Sequence, residues 1–182
     1  LCFAGPLQEM HKRVIAGSAV AGGGGGGPDT YYYPTGITAD NITNETSSGY
    51  AHSDYVYGGR ITVGASGTAT SIEFLAIEKG GSDTDINIGL YDDSNNLIAQ
   101  CTTSILADTD EEWTGCTINQ AVTATTTYRV FYNAEFDNGC TGFVSGETGW
   151  FGTCSYSPGS LCDPPTSIGS EAQGYMVRMY VD

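Results

Sequence analysis

Positive charge is scarce in this sequence. Its 182 residues hold 6 Lys and Arg against 21 Asp and Glu, for a formal net charge of −15. A surface of that sign repels phosphate backbones and anionic lipid, so neither nucleic acid nor a membrane is an expected partner. Histidine is almost missing, with only His11 and His52 present. No cysteine falls in a Cys-x-x-Cys pair or beside a histidine, which leaves a zinc site without its usual spacing. No apolar run approaches the ~20 residues that span a bilayer, so no membrane span is expected. Straight-chain helix formers are few, and no stretch shows a helical period. Catalytic signatures are missing too. There is no Gly-x-Ser-x-Gly elbow, and beyond residue 27 His52 is the single histidine from which a nucleophile–base–acid set would have to be built. The many acids include no pair that the sequence sets across a cleft, as glycoside hydrolysis requires. The expectation is a protein that is not an enzyme.

What is abundant is Gly, at 26 residues, with Thr, Ser, Val, Ile and 12 Tyr. That is the composition of short strands joined by small-residue turns. The globular part is expected to open at Tyr31-Tyr32-Tyr33-Pro34. From Arg60 onward strand patterns succeed one another, over 60–63, 71–77, 86–91, 97–102, 113–118, 125–132, 142–145 and 175–181. The clearest is Ile86, Ile88 and Leu90 alternating with Asn87, Gly89 and Tyr91, a period of two that puts one face in a core. The turn Asp92-Asp93-Ser94-Asn95-Asn96 then closes a hairpin. About eight or nine strands at spacings of about 8–15 residues predict an all-β chain, a β-sandwich of jelly-roll type with an extended N-terminal arm.

The succession Gly67-Thr68-Ala69-Thr70-Ser71-Ile72, Asn87-Ile88-Gly89-Leu90-Tyr91-Asp92-Asp93, Asn96-Leu97-Ile98-Ala99, Trp113 and Thr127-Tyr128-Arg129-Val130 resembles a diffuse group of extracellular jelly-roll domains. These occur on bacterial surface proteins, phage tail components and carbohydrate-binding modules. The resemblance spans residues 58–135 and the last strand. It implies a display or recognition module and carries over no binding residue.

Six cysteines without metal spacing read as disulfides, and so as an oxidising, extracellular setting. Cys101 and Cys116, with 14 residues between them, fall on successive strands and are expected to pair. Cys140, Cys154 and Cys162 fall in a Gly- and Pro-rich stretch, 138–165, with little strand pattern. Two of the three are expected to staple it, leaving the third for Cys2 of the same or a neighbouring chain. Two sequons, at Asn41 and Asn44, suit glycosylation on an extracellular protein.

Residues 1–21 differ from the rest. They hold one acid and two bases, whereas residues 28–182 hold 20 acids and 4 bases. Residues 22–27 are six glycines, a flexible or extended tether. The chain therefore divides into an arm and tether, 1–27, and a sandwich domain, 28–182. Val14, Ile15, Ala16, Ser18 and Val20 make a small-residue, strand-compatible segment that would be a liability if left unpaired. Its expected use is as a strand added to a groove of another copy, which grows into a filament unless the geometry closes. A strand within the same chain, a processed leader following Met10-His11-Lys12-Arg13, or disorder are the competing readings.

Two further groups invite ligands. Asp83, Asp85, Asp92 and Asp93, with Asp108, Asp110, Glu111 and Glu112, lie in turns; calcium is the cation such oxygens suit, although none matches the spaced EF-hand pattern and acidic turns are usually solvated. Tyr31, Tyr32, Tyr33, Tyr50, Tyr55 and Tyr57, with Trp113, Trp150 and Phe151, are candidates for a sugar-stacking platform or an interface. Trp113 sits in a strand pattern and is expected in the core. Trp150-Phe151, among glycines, is the better exposed contact. The function expected is a structural subunit of an extracellular filament or pilus-like assembly of copies of this chain. The alternatives are a glycan-binding or adhesin module, or a viral or phage tail or decoration protein.

Overall fold

The computed structural model describes residues 30–37, 46–50, 53–78, 83–105, 112–135 and 140–182. Among them are eleven strands and no helix: β1 (Thr30–Tyr32), β2 (Thr46–Tyr50), β3 (Tyr55–Thr62), β4 (Gly67–Glu78), β5 (Thr84–Tyr91), β6 (Leu97–Ile105), β7 (Glu112–Val122), β8 (Thr127–Ala134), β9 (Cys140–Thr153), β10 (Thr166–Tyr175) and β11 (Val177–Val181). Every ladder is antiparallel.

Eight strands build the frame. One layer runs β1-β11-β4-β7 and the facing layer β3-β8-β5-β6. Counted in chain order, these layers read 1-8-3-6 and 2-7-4-5, the order of a jelly roll. The three remaining strands are additions to it. β9 extends the second layer beside β3, and β10 and β2 both pair with β9. At one corner β9 also pairs with β4, Thr141 opposite Ala76, so the two layers join there.

The core forms because alternate side chains of both layers meet. Ile72, Phe74 and Ala76 of β4 and Val177, Met179 and Val181 of β11 face Ile86, Ile88 and Leu90 of β5 and Val130, Tyr132 and Ala134 of β8. Each large apolar side chain sealed in this way stabilises the fold by about 1.5–3 kcal/mol. Phe74 stacks on Tyr132 across the layers at 5.0 Å between ring centroids. The Tyr132 hydroxyl donates to Thr141 Oγ1 at 2.8 Å, so this buried phenol is satisfied.

At the far edge no ladder joins β6 to β7 among the described residues. There the expected disulfide, Cys101–Cys116, ties the layers, with Cα atoms 6.0 Å apart.

The outer face of the second layer is also covered, which is why β8 is buried along nearly its whole length. Residues 154–163 fold back over it, closed by Cys154–Cys162. Two buried asparagines anchor that cover. Asn87 Nδ2 donates to Asn133 Oδ1 (3.3 Å) and to the carbonyls of Ser157 (2.9 Å) and Ser160 (3.1 Å). Its Oδ1 accepts from Gly159 N and Thr102 Oγ1, each at 3.1 Å. Tyr91 Oη donates to the Cys162 carbonyl at 2.9 Å.

Three expectations need correction. The strands exceed eight or nine because short β1 and β2 and the 138–165 region contribute too. That region was expected to hold little strand pattern beyond a short strand at 142–145, yet it holds β9, the longest strand, over Cys140–Thr153. Its glycines hide the pattern but suit the packing: a Cβ at Gly149 would run into the Gln173 carbonyl of β10. Trp113, expected in the core, lies outside the main cluster. It is half-buried on β7 against Tyr33 and beneath the Arg178 guanidinium, 4.2 Å from the ring centroid.

Candidate functional site

The ladder between β3 and β9 ends at Gly58–Trp150, while β3 runs on to Thr62. Beside that uncovered end a groove of about 240 Å³ opens, lined by Pro34, Thr35, Arg60, Thr62, Thr127, Thr148 and Trp150. Strand periodicity explains its lining. Ile61, Tyr128 and Val130 point into the core, so Arg60, Thr62, Thr127 and Arg129 point outward. Arg60 pairs directly across from Arg129, and Thr62 from Thr127, whose hydroxyls lie 2.9 Å apart. Gly58 must be small because a Cβ there would meet the Val130 carbonyl.

Two directly opposed arginines repel one another. Burial, followed by the Arg60 charge, pulls the Arg129 guanidinium below its usual range, and Asp93 and Asp92 oppose that shift. The neighbouring turn is what holds the pair. Asp93 Oδ1 accepts from Arg60 Nη2 at 2.8 Å and lies 3.4 Å from Arg129 Nη2. Arg129 Nη1 also donates to the Asp93 carbonyl (2.8 Å) and Asn95 Oδ1 (2.5 Å). The half-buried Trp150 ring completes the cluster, with the two guanidinium carbons 5.3 and 5.5 Å from its centroid. The only buried side-chain polar atoms without a partner among the described residues are Arg60 Nε and Arg129 Nε.

Arg178 provides a contrast on the opposite layer. It lies between Tyr31 and Trp113, 3.9 and 4.2 Å from their ring centroids. Its Nε and Nη2 both meet Glu73 Oε2, at 2.6 and 2.5 Å. That arginine has a carboxylate to itself, whereas Arg60 and Arg129 share one. Chemically, the Trp150 groove offers a ring face, hydroxyls and cations. Its lining residues include no histidine, carboxylate or thiol.

The acidic residues divide between two ends of β5. Asp92 closes its own turn: Oδ1 accepts from Ser94 N (2.8 Å) and Asn96 N (2.9 Å), and Oδ2 from Asn96 Nδ2 (2.8 Å). Those contacts, the Asn96 side chain first, hold its carboxyl below the ordinary range. Asp93 serves the arginines. Asp85, near the start of the strand, accepts from Ser104 Oγ at 2.6 Å, with Asp83 two residues before it. Seven residues of extended chain separate Asp85 from Asp92, roughly 23 Å, so the two acidic pairs do not converge. No group of three or more metal-ligating side chains occurs among the described residues.

The aromatics likewise disperse. Tyr32 is in the core, Tyr31 stacks near Tyr180 on the first layer, and Tyr55 and Tyr57 lie on β3. Asn41, Asn44, Cys2, the Cys140 side chain, acids 108–111 and the arm residues Val14, Ile15, Ala16, Ser18 and Val20 lie outside the described part. Sequence reasoning had singled out Trp150 but not Arg60 or Arg129. The available signal was that these are two of only four bases after residue 27.

No protein-family model matches the chain, and no curated protein matches it. Among the described residues no helix is long and apolar enough to cross a membrane.

Proposed function

We propose that this chain is an extracellular, non-catalytic recognition module that binds a carbohydrate ring in the Trp150 groove. The observation that carries the reading is the half-buried Trp150 ring bordering a groove lined by four threonines. A pyranose has an apolar face for the indole and hydroxyls for the threonines. The Cys101–Cys116 and Cys154–Cys162 disulfides fit an oxidising, extracellular setting. Binding of the intact protein to an immobilised glycan panel tests the idea. Trp150→Ala is expected to abolish binding with the fold retained; a variant that binds as well as the parent refutes the site.

A second reading concerns the arm. The opposed charges of residues 1–21 and the body, with six glycines between them, favour assembly of copies into a filament by strand addition. Deleting residues 1–21 is expected to leave a folded monomer where the full chain assembles. Continued assembly of the truncated protein refutes that reading.

A further inference from the structure

We infer that the sugar taken by the Trp150 groove carries a carboxylate, as a uronic or sialic acid does, and that Arg60 receives it; this rests on the glycan reading above. The first argument is charge economy. Residues 28–182 contain 20 acids and 4 bases, and two of those bases stand opposite each other at one groove. Opposed like charges are unfavourable, a cost that the shared Asp93 and the Trp150 ring offset at this groove.

Second, compensation is incomplete. Among the described residues only one carboxylate, Asp93, touches the pair, while Asp92 acts on Arg129 from a distance and is occupied by its own turn, so the two guanidinium groups share a single contacting acid beside the indole. Arg178 shows what a compensated arginine looks like in the same protein, paired to Glu73 through two nitrogens. Third, both Nε atoms at this site are buried without an acceptor, and no other described side chain has such an atom. An orphaned charged donor is unfavourable, and an anion at the groove acts favourably on the Arg60 guanidinium charge through its exposed end, not through these sealed atoms.

The two arginines then take different parts. The Arg129 side chain is 8% exposed and bound to the 92–95 turn, so it holds Asp93 and adds field. Arg60, 37% exposed at its side chain and a lining residue of the groove, is the one a ligand reaches. The chain is strongly acidic overall, so an isolated carboxylate without the ring gains little.

Titration calorimetry with oligogalacturonate and the neutral galacto-oligosaccharide of equal length tests the inference, with sialyl-lactose against lactose as the second pair. At least one acidic sugar is expected to bind roughly tenfold or more tighter than its neutral partner, the worth of one charge-assisted hydrogen bond. That preference is expected to shrink as salt is raised. Arg60→Gln should remove the preference, bringing the acidic sugar down to the affinity of its neutral partner, and Trp150→Ala should remove binding of both. Thr148→Val, which removes an uncharged hydroxyl from the exposed rim of the groove, should weaken both sugars alike. Thermal unfolding of each variant separates lost binding from lost fold. Equal affinity for acidic and neutral sugars, or a preference unchanged by Arg60→Gln, overturns the carboxylate inference while the glycan site stands. If no sugar binds, or binding survives Trp150→Ala, the glycan reading fails and takes the inference with it.

Discussion

Replacing Asn87 with Asp tests whether the loop cover on the second layer is held by hydrogen-bond polarity or merely by shape. The substitution is isosteric at a position 1% exposed. In the parent, Nδ2 donates to three oxygens, on Asn133, Ser157 and Ser160. A carboxylate has no hydrogen to give, so all three lose their donor and face another acceptor. The accepted bonds from Gly159 and Thr102 survive. Losing the donors and burying an uncompensated charge should cost about 3–5 kcal/mol near neutral pH. Burial and the facing carbonyls raise the new carboxyl's folded pKa above its unfolded value of about 3.9. The penalty is therefore smallest below that pH, where a protonated acid can donate once, and it grows as pH rises through the folded pKa. Urea unfolding of parent and variant, followed by Trp fluorescence at several pH values, reads the difference. A gap under about 1 kcal/mol at neutral pH, or one that does not change with pH, would refute the account.

Three other outcomes are expected. The double substitution Cys101→Ala, Cys116→Ala should lower stability by about 3 kcal/mol, the chain-entropy value for a loop of roughly 15 residues, and the melting temperature by roughly 6–12 °C; an unchanged melt would mean that packing alone holds β6 to β7. The Asp92 carboxyl should titrate by NMR below the ordinary value of about 3.9, and its contribution to stability, present above that pH, should fade as pH drops through the lower folded value; a normal midpoint would contradict the turn geometry. Tyr91 and Tyr132 have phenols raised by burial, so stability should be full below about pH 10 and fall above it by about 1.4 kcal/mol per pH unit for each; phenolate absorbance from both in the folded protein would disprove that.

The frame was legible where one physical rule dominated. In β5 the alternation of Ile86, Ile88 and Leu90 gave strand, face and hairpin together, and the turn at 92–96 lies where the polar run puts it. The Cys101–Cys116 pairing followed from adjacency and is present. β9 was legible only over 142–145, because its glycines depress strand propensity, and the benefit of Gly149 and Gly152 lies in neighbours contributed by residues 165–175. The arginine pair was illegible for the same reason. Arg60 and Arg129 are 69 positions apart, and only the register of β3 against β8 makes them neighbours. Trp113 misled because a strand has two faces and the sequence around it did not say which was inside.

The groove owes its position to where an addition to the jelly roll stops. In the eight-strand frame β3 is the outermost strand of its layer, an open edge that would invite pairing with another chain. β9 covers that edge from Tyr55 to Gly58 and then releases it, so Arg60–Thr62 are left beside Thr148 and Trp150 rather than bonded to a partner strand. The new outer edge, β10, is poorly suited to pairing. It carries two register irregularities, a positive φ at Ser167 and the charge of Glu171. Covering an edge and shaping a site are thus one operation here. The frame fixes Arg60 and Arg129 from below, and the added strand supplies Trp150 from the side. Changes within β9 at residues 146–150 should accordingly alter what the groove accepts while leaving the core packing of β4, β5, β8 and β11 as it is.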